Sequence, residues 1–107
     1  MAYDQQLDAR INQTVASWGA TKRKMFGGTC YLLHGNIVCG VHQDRLIVRV
    51  GEKAGTVALD EPHTRPFDIT GRPMKGWVMV APQGYAGDGL NAWLERARVF
   101  VATLPPK

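Results

Sequence analysis

Five side chains in this sequence are suited to metal ligation or nucleophilic attack: Cys30, Cys39, His34, His42 and His63. A zinc site needs several thiolate or imidazole ligands converging on one point, commonly through paired Cys-x-x-Cys or His motifs, and no such pair occurs here. A nucleophilic thiol needs a neighbouring imidazole or cation to hold it as thiolate. If residues 29–50 fold as two hairpins, Cys30 and Cys39 stand diagonally on one apolar sheet face, with His34 and His42 at strand ends. The thiols then read as core side chains and the histidines as surface groups. Two cysteines also cannot build a disulfide framework. Acid-base chemistry fares no better, because Asp44 falls in a tight turn and Asp60-Glu61 in a loop, whereas catalysis asks for carboxylates that converge. Asp68 reads as a turn or capping carboxylate. Met25-Phe26-Gly27-Gly28 precedes a strand, not the helix N-terminus that a phosphate-cradling loop requires. The expectation is a protein with no catalytic set, no metal and no cofactor.

Charge offers a different chemistry. The net charge is +4, and the whole excess lies between residues 20 and 80, where nine cations face five anions. Lys22-Arg23-Lys24 is a basic run suited to phosphate contacts. Arg49, Arg72 and Lys75 could extend it. Neither terminal helix has a basic face that would serve as a recognition helix, and aromatics suited to base stacking are few. The most distinctive stretch is Gly71-Arg72-Pro73-Met74-Lys75-Gly76-Trp77-Val78, in which two glycines and a proline pin the backbone and present Arg72 and Lys75 from a defined segment. With Lys75 and Trp77 in one strand, the ammonium could lie over the indole.

These residues must be positioned by a small set of elements. Leu7, Ile11, Val15 and Trp18 recur at helical spacing from Asp4 to Trp18, where Gly19 ends the helix. Strands are expected at Thr29 to Leu33, Ile37 to His42 and Arg45 to Val50, punctuated by Gly35-Asn36 and Gln43-Asp44. With two-residue loops, Cys30 faces Val41, Leu32 faces Cys39, and Cys39 faces Val48. The core face would then hold Cys30, Leu32, Ile37, Cys39, Val41, Leu46, Val48 and Val50. Tyr31, Leu33, Val38, Gly40, Ile47 and Arg49 would make an outer face apolar enough to serve as an oligomer surface. Glu52 to Leu59 suggests a short helix, Pro62 to Pro66 an extended linker, Lys75 to Val80 a strand, and Gln83 to Gly89 a Gly-rich loop. Leu90, Trp93, Leu94, Ala97, Phe100, Val101 and Leu104 trace a last amphipathic helix with Asp88 as N-cap and Pro105-Pro106 as its stop. Helix, antiparallel meander, strand and helix in that order define an α+β fold, with N- and C-terminal amphipathic helices laid on a sheet.

A chain of 107 residues supports one core, so residues 1–107 read as a single domain. No apolar run approaches the roughly 20 residues of a membrane-spanning helix, and the first residues carry no secretory signal pattern. A cytoplasmic location is expected, with no membrane partner.

Taken in order, Lys24-Met25-Phe26-Gly27-Gly28, Gly35-Asn36-Ile37 with Gly40-Val41, Leu46-Ile47-Val48-Arg49-Val50, and Gly71 to Val78 followed by Trp93 resemble the TfoX N-terminal domain family. The likeness covers nearly the whole chain. It implies a compact α+β domain without known enzymatic activity and a link to bacterial transcriptional regulation of competence genes, acting in the best-known members with the cyclic-AMP receptor protein. Those regulators continue into a C-terminal helical domain that this sequence does not include, and whatever resides there does not transfer.

The resulting expectation is a non-enzymatic regulatory module that contacts a protein partner through Arg49, Arg72, Lys75, Trp77 and Tyr31, with homodimerisation as another use of the outer face. The competing readings are a nucleic-acid-binding accessory using Lys22, Arg23 and Lys24, and a protein binding a small anionic ligand.

Overall fold

Of the predicted stripe Leu7, Ile11, Val15 and Trp18, the first three are buried on α1 (Gln5–Val15), which ends earlier than expected in a 3-10 turn at Ala16–Trp18, where Trp18 is only partly buried. A computed structural model describes residues 5–25, 28–68, 71 and 74–106. Arg72, Phe26 and Gly27 therefore lie outside the described residues. The predicted meander forms β2 (Gly28–Leu33), β3 (Asn36–His42) and β4 (Arg45–Arg49). Two strands that the pattern did not suggest complete the edges. β1 (Thr21–Met25) carries the basic run, and β5 (Thr64–Pro66) arises within the stretch expected to be a linker. With β6 (Trp77–Val80) they make a six-stranded antiparallel sheet of order β1-β2-β3-β4-β6-β5.

α2 (Glu52–Ala58) follows β4 as expected. Residues 83–89 differ from expectation, since Pro82–Tyr85 closes a short helix, α3, with proline in the first turn where its missing N–H costs nothing. α4 (Gly89–Val101) buries Leu90, Trp93, Leu94, Ala97 and Val101. Asp88 stands at its N-cap position, but its side chain makes no capping bond.

The pairing register corrects the predicted faces of β2. The turn residues are His34-Gly35, with φ of 52° and 85°, so Leu33 pairs with Asn36 and Leu32 with Ile37. Positive φ at both central positions is the hairpin turn whose twist matches the strands. A β-bulge then inserts Val38, after which Tyr31 pairs with Cys39 and Cys30 with Gly40. A one-residue slip moves every side chain of β2 to the other face. Tyr31 and Leu33 thus join Val38, Cys39, Val41, Leu46, Val48 and Val50 in the core under α1 and α4. Alternation places Cys30 and Leu32 on the opposite face, where Ile37 also packs. The two cysteines are therefore on opposite faces of the sheet. Between β3 and β4 the expected pairing holds, with Cys39 opposite Val48 and Val41 opposite Leu46.

The second face is not open. Phe67 is fully buried over Ile47, Trp77 and Met79, with Met74 packed beside it. Phe67 stacks on Trp77 at 5.5 Å between ring centroids. The segment that follows β5 thus covers the apolar surface on which an oligomer contact was expected.

Candidate interaction site

Arg49 ends β4 and pairs with Trp77, the first residue of β6. Both β4 and β6 alternate helix-facing valines with outward Ile47, Met79 and Trp77, which puts Arg49 on the Trp77 side at the end of the sheet. Its guanidinium carbon lies 5.4 Å from the Trp77 ring centroid and 5.7 Å from that of Phe100 on α4. Two aromatic faces attract a cation electrostatically and hold its stem in place. No carboxylate or other acceptor among the described residues pairs with this guanidinium. It is a partly exposed cation, fixed in position, whose N–H groups are available.

A close backbone crossing holds this corner. The Gly76 carbonyl accepts from Val50 N–H at 2.8 Å and from Gly51 N–H at 3.1 Å. Gly76 has φ of 87°, and a Cβ there would lie 3.0 Å from the Gly51 carbonyl carbon. Gly51, at φ of 93°, has the Phe100 ring where its Cβ would be. Two of the glycines around the Lys-Gly-Trp motif therefore let the turn before β6, the start of α2 and the Phe100 ring meet at one point.

Two hollows flank the crossing. The larger, about 690 Å³, is an open groove between α2 and α4 with Val50, Ala54, Ala92, Val99 and Phe100 in its walls and Glu52, Lys53, Glu95 and Arg96 among its lining residues. Val99 is 61% exposed there, although it is apolar. The smaller, about 280 Å³, is bordered by Glu52, Met74, Lys75 and Trp77.

Of the residues singled out from sequence, Arg49 and Trp77 are in contact and Lys75 is close by in an exposed turn, two residues before the first paired residue of β6. The cation over Trp77 is Arg49 rather than Lys75. Tyr31 is elsewhere and buried, donating its hydroxyl to the Asp8 carboxylate on the helix side. Its expected place on an exposed outer face is corrected by the β2 register. Lys22, Arg23 and Lys24 are not brought to one face of the sheet. They alternate across β1, so that Lys22 meets the Asp8 carboxylate at 2.7 Å on the helix side while Arg23 points to the other face opposite Cys30. Phe100 and Gly51 were missed as site residues, since helical periodicity marks Phe100 only as core.

Burial pushes the Cys30 thiol up to about 11, and the Cys39 thiol is raised further, first by burial and then by the charges of Cys30 and Asp8. Such thiols are inert at neutral pH. Glu61 is held by Arg96 through two bonds of 3.2 and 2.7 Å, and Asp68 closes a turn through its carbonyl to Gly71 N–H. No group of three potential metal ligands occurs among the described residues. No helix among them is long and apolar enough to cross a membrane.

A six-stranded antiparallel sheet with helices packed on it defines a small α+β domain. The family model for the TfoX N-terminal domain matches residues 13–99, and the chain belongs to that family, which is not a known enzyme family. Neither the curated proteins nor the solved structures include a match to this chain.

Proposed function

We propose that this domain is a non-enzymatic regulatory module that binds a protein partner at the corner formed by Arg49, Lys75 and Trp77. The observation that supports this most is Arg49 itself. A partly exposed guanidinium held against two rings, with no anion paired to it among the described residues, has the properties of an interface anchor: positioned, partly desolvated and open to a partner's acceptor. The excess of cations in the middle of the sequence adds steering toward an acidic partner. Transcriptional regulation, including that of competence, is the setting suggested by family membership, and a cytoplasmic site of action goes with it. Arg72, six residues from Val78 in the same motif, is assigned to the same surface on its sequence position alone.

Affinity capture from native extract tests this reading, using wild type and a folded Arg49→Gln/Lys75→Gln variant with and without nuclease. A nuclease-resistant protein lost with the variant is expected. Equal recovery on both, or recovery of nucleic acid alone, refutes it. The nucleic-acid reading is supported only by exposed Arg23 and Lys24, because Lys22 is engaged by Asp8. A small anionic ligand is the remaining alternative, and its test is direct titration of the Arg49 side-chain resonance.

A further inference from the structure

We propose that the groove between α2 and α4 takes an apolar protein segment carrying an aspartate or glutamate where it passes over Arg49. The proposal rests on the interaction reading above and names the chemistry of the partner. Phe100 connects the two halves of the argument, since its ring lies under the Arg49 guanidinium and also lines the groove. An occupant resting on Val50, Val99 and Phe100 is thereby carried to the cation.

The floor selects apolar side chains. Val99 is exposed although apolar, and Val50, Ala54, Ala92 and Phe100 line the groove with it. Covering such surface on binding is favourable in proportion to its area.

The charges select an acid, and only at one end. Glu95 is paired with Arg98 at 3.5 Å, and Arg96 with Glu61 at 2.7 Å, so that end is internally neutral. At the other end Arg49, Lys53 and Lys75 have no ion pair among the described residues, and Glu52 is the one carboxylate set against them. The local balance is two positive charges in excess. With rings rather than carboxylates beside it among the described residues, the Arg49 guanidinium keeps N–H groups for a planar carboxylate.

Other occupants fit less well. A second copy would bring the same excess of cations to the same place, against its own charge. Nucleic acid would have to lay phosphates on an apolar floor, while the basic strand β1 lies at the opposite side of the sheet, three strands beyond β4.

The test is selection of a random 12-residue phage-displayed peptide library on the intact domain, followed by titration calorimetry of the enriched peptides. Enrichment of peptides combining an acid with apolar residues is expected. Changing that acid to its amide should weaken binding to wild type about tenfold, the scale of a charge-assisted bond. The same change should have no effect on Arg49→Gln, and Val99→Asp should abolish binding of both peptides. Backbone resonance dispersion checks that each variant is folded. Peptides without an acid, an amide effect that persists in Arg49→Gln, binding that ignores Val99→Asp, self-association that displaces peptide, or no enrichment would each overturn the proposal. If a cellular partner is still captured in an Arg49-dependent way while the peptides fail, only the groove occupant is wrong. If both fail, the interaction reading falls as well.

Discussion

Replacing Gly76 by alanine strikes the crossing that positions Arg49, Trp77 and Phe100. The backbone there has φ of 87°, where an L side chain costs about 1–2 kcal/mol. The added Cβ would also lie 3.0 Å from the Gly51 carbonyl carbon and 3.1 Å from the Glu52 nitrogen, inside ordinary van der Waals contact. Both are backbone atoms and cannot rotate away. Relief requires the start of α2 to move, which lengthens the bonds from Val50 and Gly51 N–H to the Gly76 carbonyl, and losing one costs about 1 kcal/mol. The sum is about 2–4 kcal/mol, or a fall in melting temperature of roughly 10–25 °C for a domain of this size. Gly19 supplies the control, because it has φ of 81° and nothing within 4 Å of a Cβ. Gly19→Ala should therefore cost only the conformational part, about 1–2 kcal/mol. Urea unfolding followed by circular dichroism measures both. If Gly76→Ala is no more destabilising than Gly19→Ala, the crossing is not a rigid device, and the argument that it fixes Arg49 fails.

Asp8 should matter more than its cationic partner. Asp8→Ala removes the carboxylate acceptor of a buried Tyr31 hydroxyl, leaving it the longer bond to the Asp8 carbonyl at 3.3 Å, and should cost about 1–2 kcal/mol, whereas Lys22→Ala removes a half-exposed ammonium and should cost under about 1 kcal/mol; equal losses in chemical denaturation would refute the difference. Stability should be flat with respect to these thiols below about pH 8.5 and fall above it, because the unfolded thiols ionise there while the folded ones, raised by burial, keep their protons. The slope is about 1.4 kcal/mol per pH unit for each thiol, with Cys30 contributing until about 11, and a Cys30→Ala/Cys39→Ala variant that keeps the same alkaline slope would show the cause lies elsewhere. Reversing Arg23 and Lys24 to glutamate should leave Arg49-dependent capture unchanged, since β1 is remote from β6; loss of the partner would shift the assignment to the basic edge.

Helical spacing is sufficient to locate α1 and α4 and their buried faces, because a stripe such as Leu7, Ile11 and Val15 has one periodicity, but it carries both helices about one turn too far, to Trp18 and Leu104, where the chain has already left the α-helix. The strands of the meander and the register of β3 on β4 were legible for a similar reason: alternation is a local property, and the Gln43-Asp44 turn marks its own position. The ordered motifs are enough to place the chain in its family. What local pattern could not fix was anything that depends on distant segments meeting. The β2 face turned on whether His34-Gly35 or Gly35-Asn36 makes the turn, and on a bulge at Val38 that no periodicity reveals. The β1 and β5 edges are short, and they become strands only when β2 and β6 offer a ladder to pair with. Tyr31 therefore moved into the core, and the outer face acquired its cover from Phe67. The Arg49 clamp belongs wholly to this second class. Its rings come from positions 28 and 51 residues away, and only a crossing at Gly51 and Gly76, where no side chain intervenes, brings them to one cation.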